Sequence, residues 1–119
     1  MIAVRVMPVS LVVDDEPSVR RYMITILQRE DFRTLEAGDG AHALKIVQEL
    51  DGRVDLIVSD IQMPNGDGLS FVQAVRRSFP TAPVILVSGN AKPDADFDFV
   101  EKPFLPSTLV SVVRKLFPR

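Results

Sequence analysis

The sequence contains no cysteine. Disulfides, thiol nucleophiles and thiolate metal sites are therefore excluded. No apolar run approaches the roughly 18 residues that a membrane-spanning helix needs. The opening Met1–Pro8 has too short an apolar core for a secretory signal. No basic stripe is present: 14 Lys and Arg stand against 16 Asp and Glu, a net charge of -2, which argues against a nucleic-acid surface. Internal repeats, low-complexity tracts and linkers are also missing. These absences lead us to expect a soluble cytoplasmic domain that engages neither nucleic acid nor membrane.

What is present fits one ordinary globular domain. The chain has 119 residues, of which 46% are hydrophobic and 25% charged, enough for one real core and too few for two. Its organising stretch is Val54–Asp60, an apolar run ending in a carboxylate. Leu56, Ile57 and Val58 carry no helical stripe beyond them and predict a strand buried on both faces. The turn formers from Pro64 to Gly68 follow. Ligands of open parallel sheets bind beyond the carboxyl ends of strands, so Asp60 stands where chemistry is expected.

The remaining elements alternate. Ser10–Val13 predicts a strand running into Asp14, Asp15, Glu16 and Pro17, an acidic cluster able to cap the next helix. Val19, Tyr22, Met23, Ile26 and Leu27 predict its apolar stripe, with Arg20, Arg21 and Arg29 on the wetter side. Arg33–Ala37 predicts a weaker strand near the sheet edge. Ala43, Leu44, Val47 and Leu50 stripe a second helix, stopped by Asp51 and Gly52. Leu69, Val72 and Val75, widened by Phe71 and Ala74, stripe a third that ends near Pro80. Ala82–Ser88 and Phe97–Lys102 predict the last strands, and Leu109, Val112, Val113 and Leu116 a closing helix with Pro106 near its start. Only residues 89–96 separate the last two strands. That is short for a parallel crossover, which usually takes about a dozen residues or more, so an irregular loop or single turn is expected there.

Polar residues now mark separate strand ends: Asp14 and Asp15, Asp60, Ser88, and Lys102. Carboxylates brought together repel one another and need neutralising. A hard divalent cation such as Mg²⁺, with oxygen ligands and retained waters, does this well. Lys102 adds positive charge and Ser88 a hydroxyl donor. A carboxylate left free to attack would form an acyl phosphate, with metal, lysine and hydroxyl stabilising the transferring phosphoryl oxygens. Each residue alone also has a plain reading: a helix cap for the aspartates, an exposed side chain for Lys102, a turn cap for Ser88. Their recurrence at the ends of different strands is what favours chemistry.

These motifs, Leu11–Glu16, Asp60–Pro64, Gly68, Val87–Gly89 and Lys102–Phe104, resemble the receiver domain of bacterial two-component response regulators, from Leu11 to Phe117. The resemblance implies a flavodoxin-like α/β domain: a doubly wound, five-stranded parallel sheet in the order 2-1-3-4-5. Residues 1–9 would be an N-terminal extension and 10–119 the receiver domain. It implies that Asp60 is the phosphoacceptor and that Asp14, Asp15, Asp60 and the Gln62 carbonyl hold Mg²⁺, with Mn²⁺ a possible substitute. Ser88 matches the switch hydroxyl, Phe99 the switch aromatic, Lys102 the catalytic lysine and Pro103 its cis-proline neighbour. Phe97, the alternation partner of Phe99, could fill either role by pattern alone.

The implied function is acceptance of a phosphoryl group from a histidine kinase or phosphotransfer protein in a Mg²⁺-dependent phosphorelay. Slow self-dephosphorylation replaces ordinary turnover, and the domain is a monomer or weak dimer acting on a downstream protein that the sequence does not name. A free regulator and a segment of a longer chain, such as a hybrid histidine kinase, are both compatible with an end at Arg119. Two alternatives belong to other classes. One is a Mg²⁺-dependent phosphatase with an aspartyl nucleophile, against which Gln62 stands where a second Asp is usual. The other is a scaffold that binds partners without phosphorylation.

The chain departs from the family pattern between Ser88 and Lys102, where the fourth helix is expected to be short or absent. Gly66 replaces a common hydrophobic residue, and Leu105 a common serine cap. His42, the single histidine, is expected on the polar side of its helix and outside any phosphotransfer. Arg76 and Arg77 are expected as a solvated helix end, well placed for the helix dipole.

Overall fold

The computed structural model describes residues 7–63, 68–90, 92–93 and 96–118. Gly66, most of the Pro64–Gly68 turn and residues 1–6 of the expected extension lie outside them. The elements run β1 (Val9–Val13), α1 (Pro17–Arg29), β2 (Arg33–Ala37), α2 (Gly40–Glu49), β3 (Leu56–Asp60), α3 (Gly68–Ser78), β4 (Val84–Ser88), β5 (Asp98–Glu101) and α4 (Pro106–Leu116). All pairings are parallel, and the five strands lie in the order β2-β1-β3-β4-β5. This is the doubly wound, flavodoxin-like sheet that the receiver-domain resemblance implies.

Burial explains the order. Every residue of β3 and β4 is buried, as a strand covered on both faces requires. β2 is largely open, with Leu35 37% exposed, as befits an edge. One face of the sheet packs Val12, Leu56, Val58, Ile85 and Val87 against α1 and α4 through Met23, Leu27, Leu109 and Val113. The other packs Leu11, Val13, Ile57, Val84 and Leu86 against α2 and α3 through Ala43, Val47, Phe71, Val72 and Val75. Each such fully buried branched side chain contributes roughly 1.5–3 kcal/mol. The alternation of a strand between two helical layers thus sets which residues can reach its carboxyl end.

Several local expectations need correction. Three strands are shorter than read: β3 begins at Leu56, β4 at Val84, and β5 spans only Asp98–Glu101, while β1 starts one residue earlier, at Val9. Asp55 instead binds β1 laterally, its N–H donating to the Val9 carbonyl at 2.8 Å and its carboxylate accepting from the Val9 N–H at 2.7 Å. Tyr22 is not a stripe residue; it is 39% exposed and donates its hydroxyl to the Phe104 carbonyl at 2.9 Å. The acidic cluster does not cap α1 in the usual way, since Glu16 sits at the N-cap without a side-chain bond. Asp14 reaches forward instead and accepts the Glu16 N–H at 2.9 Å. α2 ends as read, with Asp51 at φ 53° and Gly52 at φ 73°. A Cβ at Gly52 would also meet the Phe79 ring, so only glycine suits that turn.

No described residue between Ser88 and Asp98 is helical. β4 and β5 nonetheless pair in parallel, Ser88 opposite Glu101, and the Lys102 N–H donates to the Ser88 carbonyl at 2.7 Å, extending the ladder. The closing helix α4 spans Pro106–Leu116, and the described residues of the β4–β5 connection form no helix. Leu105 is the N-cap of α4 and makes no cap bond, because its side chain carries no acceptor; it is 69% exposed. Among the described residues no helix is long and apolar enough to cross a membrane.

Candidate functional site

The carboxyl edge of the sheet collects the polar strand ends. Asp60 is the last residue of β3, Ser88 the last of β4, Asp14 follows β1, and Lys102 follows β5. Backbone bonds lock these ends together: the Asp14 N–H donates to Ala37, the Ile61 N–H to Val87 and the Lys102 N–H to Ser88. Neighbouring parallel strands in this register bring residues distant in sequence within side-chain reach.

Asp14, Asp15 and Asp60 each offer a carboxylate oxygen, and these lie within 4.8 Å of one another. The Lys102 Nζ lies 2.9 Å from Asp14 Oδ2 and 3.4 Å from Asp60 Oδ1. The side chain of Asp14 is fully buried and that of Asp60 nearly so. Burial is the main force on the Asp60 carboxyl and pushes it above the usual carboxylate range. Lys102 and the Gln62 N–H oppose the rise, while Asp14 adds to it. For Lys102, burial disfavours the ammonium, but the hydrogen bond to Asp14 and the charges of Asp14 and Asp60 outweigh it, so the net direction is upward.

The donor set is all oxygen, clustered and acidic, with no cysteine available. It can coordinate a hard divalent cation. The Ser88 side chain is buried, and its Oγ accepts the Asn90 N–H at 3.0 Å. Phe97 and Phe99 both pack against the α2/α3 side of the core and are half-buried, so facing alone does not separate them. The Lys102–Pro103 peptide is cis. His42 is exposed in the first turn of α2, where its N–H donates to Asp39 Oδ1 at 2.8 Å.

Sequence reading missed contributors on the helices. Arg20 was assigned to the wet side. It pairs with Glu36 at 2.8 Å and donates from Nη1 to the Asp14 carbonyl at 2.8 Å. No local signal in the sequence sets it apart from Arg21. Arg76 is not merely solvated either: its Nε donates to the Ala82 carbonyl at 2.9 Å and its guanidinium sits 4.6 Å from the Phe97 ring centre. Val19, Tyr22, Lys102, Pro103 and Phe104 line an apolar hollow of about 500 Å³ beside the cluster.

The chain is similar to known proteins in sequence and in fold. The profile of the family described as the response regulator receiver domain matches residues 10–114. The chain is 36% identical over 117 residues to sensor kinase CckA of Brucella abortus, an alignment covering 92% of this chain and 12% of that protein. Chemotaxis protein CheY4 of Vibrio cholerae superposes with a TM-score of 0.83 at 30% identity, covering 93% of this chain and 99% of that one. Response regulator TrrA of Thermotoga maritima, solved with Mg²⁺ and BeF, superposes with a TM-score of 0.81 at 33% identity, covering 92% and 99%. The chain spans only about an eighth to a half of the length of the curated relatives it matches. Its motifs, its 2-1-3-4-5 sheet and its clustered aspartates beside Lys102 agree with that match over almost the whole domain, and the chain belongs to the response regulator receiver domain family.

Proposed function

We propose that this domain accepts a phosphoryl group on Asp60 from a phosphohistidine carried by a histidine kinase or phosphotransfer protein. The observation that carries the reading is Lys102 Nζ lying 2.9 Å from Asp14 and 3.4 Å from Asp60, beside a three-carboxylate cluster. A buried carboxylate held next to one ammonium and two further carboxylates fits a nucleophile better than a structural ion pair.

In the transfer, an Asp60 oxygen attacks phosphorus, the phosphorus–nitrogen bond breaks, and the imidazole leaves with its electron pair and takes a proton from solvent. An acyl phosphate remains. Lys102 stabilises the phosphoryl oxygens by charge and hydrogen bonding. Ser88 supplies a hydroxyl from the end of β4, and Phe99 in β5 is the aromatic that follows its movement. Asp14, Asp15, Asp60 and the Gln62 carbonyl would hold Mg²⁺, or Mn²⁺ in its place, and the ion would neutralise charge on the phosphoryl oxygens. The burial that raises the Asp60 carboxyl keeps water from screening these interactions. The apolar hollow next to Lys102 supports a protein donor over a small phosphate ester, because apolar side chains of a partner fit there.

The test is intact-mass analysis after incubation with acetyl phosphate and Mg²⁺. A single phosphoryl adduct is expected on the native protein and none on Asp60→Asn. An adduct that persists in Asp60→Asn refutes the assignment.

A further inference from the structure

Arg20 has no part in the chemistry above, yet it is tied to the residue on which the cluster is built. Asp14 spends every polar group on a partner. Its N–H donates to the Ala37 carbonyl at 3.2 Å, its Oδ1 accepts from the Glu16 N–H and its Oδ2 from Lys102. Its carbonyl accepts from Arg20 Nη1 at 2.8 Å. That carbonyl shares one rigid peptide plane with the N–H of Asp15. Fixing the direction of the carbonyl fixes the plane, and the plane sets where the Asp15 side chain starts.

Arg20 is itself held. Its Nε donates to Glu36 Oε1 at 2.8 Å, and its side chain is only 19% exposed. Its N–H bonds the Glu16 carbonyl at 2.9 Å, which seats it on the first turn of α1. The planar guanidinium spans two acceptors at once with its donors in a fixed fork, which a flexible ammonium does not reproduce. β2, through Glu36, therefore braces the turn between β1 and α1.

We propose that Arg20 is a positioning residue for the carboxylate cluster: by holding the Asp14 carbonyl from an anchor on Glu36, it sets the turn so that Asp14 and Asp15 together receive a divalent cation. The inference rests on the phosphoacceptor reading above and deepens it. Two consequences of removing Arg20 oppose each other. Loss of a nearby positive charge alone tightens cation binding. Loss of the brace weakens it. The sign of the change identifies the role.

The experiment follows the amides of Asp15 and Asp60 during Mg²⁺ titration of the native protein, Arg20→Ala, Arg20→Lys and Glu36→Gln, with thermal melts of each. Arg20→Ala is expected to bind Mg²⁺ roughly tenfold more weakly, the lower end of the effect when a group holding a metal ligand from behind is removed. Arg20→Lys recovers part of that loss. Glu36→Gln stays within about threefold of the native protein, because the glutamine side-chain oxygen still accepts from Arg20 Nε and only an exposed charge is lost. In metal-free protein, Arg20→Ala shifts the Asp15 amide. Equal or tighter Mg²⁺ binding in Arg20→Ala overturns the proposal, as does an Asp15 amide that does not move. If Arg20→Ala does not fold, a Mg²⁺ affinity of Arg20→Lys equal to that of the native protein overturns it as well. A native protein that ignores Mg²⁺ overturns the metal reading instead, and the metal-free Asp15 amide tells the two failures apart.

Discussion

Lys102 binds Asp14 more closely than it binds Asp60, at 2.9 Å against 3.4 Å, although 88 residues separate the closer pair. Asp14 is fully buried, and Lys102 is the cation that answers its charge. Asp60 is left the more loosely held carboxylate, which suits the residue proposed to react.

Removing Lys102 therefore strands a buried carboxylate. Lys102→Ala is expected to lose roughly 2–3 kcal/mol of stability, toward the low side for breaking a buried pair. Mg²⁺ should restore part of it by binding the folded form. The Lys102 ammonium is shifted upward from 10.5. Its contribution is thus fully present below pH 10.5 and is lost as pH rises through the higher folded value. Urea melts at neutral and strongly alkaline pH should show the native and Lys102→Ala proteins converging only at the alkaline end.

Asp60 behaves in the opposite sense. Its folded carboxyl is shifted upward from 3.8, chiefly by burial. The protonated form is favoured by folding, so stability from Asp60 is present below pH 3.8 and is lost as pH rises through the folded value. A neutral isostere escapes that loss. Asp60→Asn should melt higher than the native protein at pH 7, by on the order of a few degrees, with the difference vanishing in acid. Calorimetry at both pH values checks it, and a lower melting point at pH 7 contradicts the sign. The acid limb of phosphorylation should likewise lie above the usual carboxylate range.

Gly68 opens α3 directly against β3. A Cβ there would collide with the Asp60 carbonyl oxygen and crowd Ser59, while the Gly68 N–H bonds the Ile61 carbonyl at 2.8 Å. Backbone cannot yield as a flexible side chain does. Gly68→Ala should cost about 1–3 kcal/mol or more and impair acetyl-phosphate labelling, because the shift falls on the peptide of Asp60. Denaturant midpoints near those of the native protein would falsify this.

Arg76 and Arg77 are neighbours with different work. Arg76 bonds the Ala82 carbonyl and covers the Phe97 ring, while Arg77 is exposed. Arg76→Ala should destabilise by about 1–2 kcal/mol, from one charged hydrogen bond and one cation–π contact. Arg77→Ala should fall within about 0.5 kcal/mol of the native protein. Paired urea melts distinguish them, and equal effects would return Arg76 to an ordinary helix end.

The phosphorylated state should change most near the β4–β5 connection. Phe99 already packs against the core, and no described residue between Ser88 and Asp98 forms a helix to be displaced. A phosphoryl group shifts a population only if the states bind it differently, and short loops at strand ends are where alternatives are cheapest. Amide shifts with and without beryllofluoride should concentrate in residues 88–99. Large changes along Leu109–Leu116 with residues 88–99 still would contradict this.

The sequence alone determined the elements and their outlet. Buried strands announce themselves through local runs such as Leu56–Val58 and Val84–Val87, and the residue ending each run is known from the run. The helical stripes through Met23 and Leu27, Ala43 and Val47, or Leu109 and Val113 are equally local, because a period of 3.6 is read over a few turns. The short span from Ser88 to Asp98 pointed to an irregular loop or single turn through its length alone, and its described residues are not helical. Tertiary structure decided what long, flexible side chains do once strands are in register. Nothing local distinguished Arg20 from Arg21, yet one braces Asp14 and the other is exposed. Nothing in the α1 stripe set Tyr22 apart until the Phe104 carbonyl came within reach of its hydroxyl. Arg76 acquired Phe97 as a partner only through the approach of α3 to the entry of β5. The physical reason is reach: strand and helix patterns arise from backbone geometry within one element, whereas an arginine or lysine spans several ångströms and chooses its acceptor from whatever the packed sheet presents.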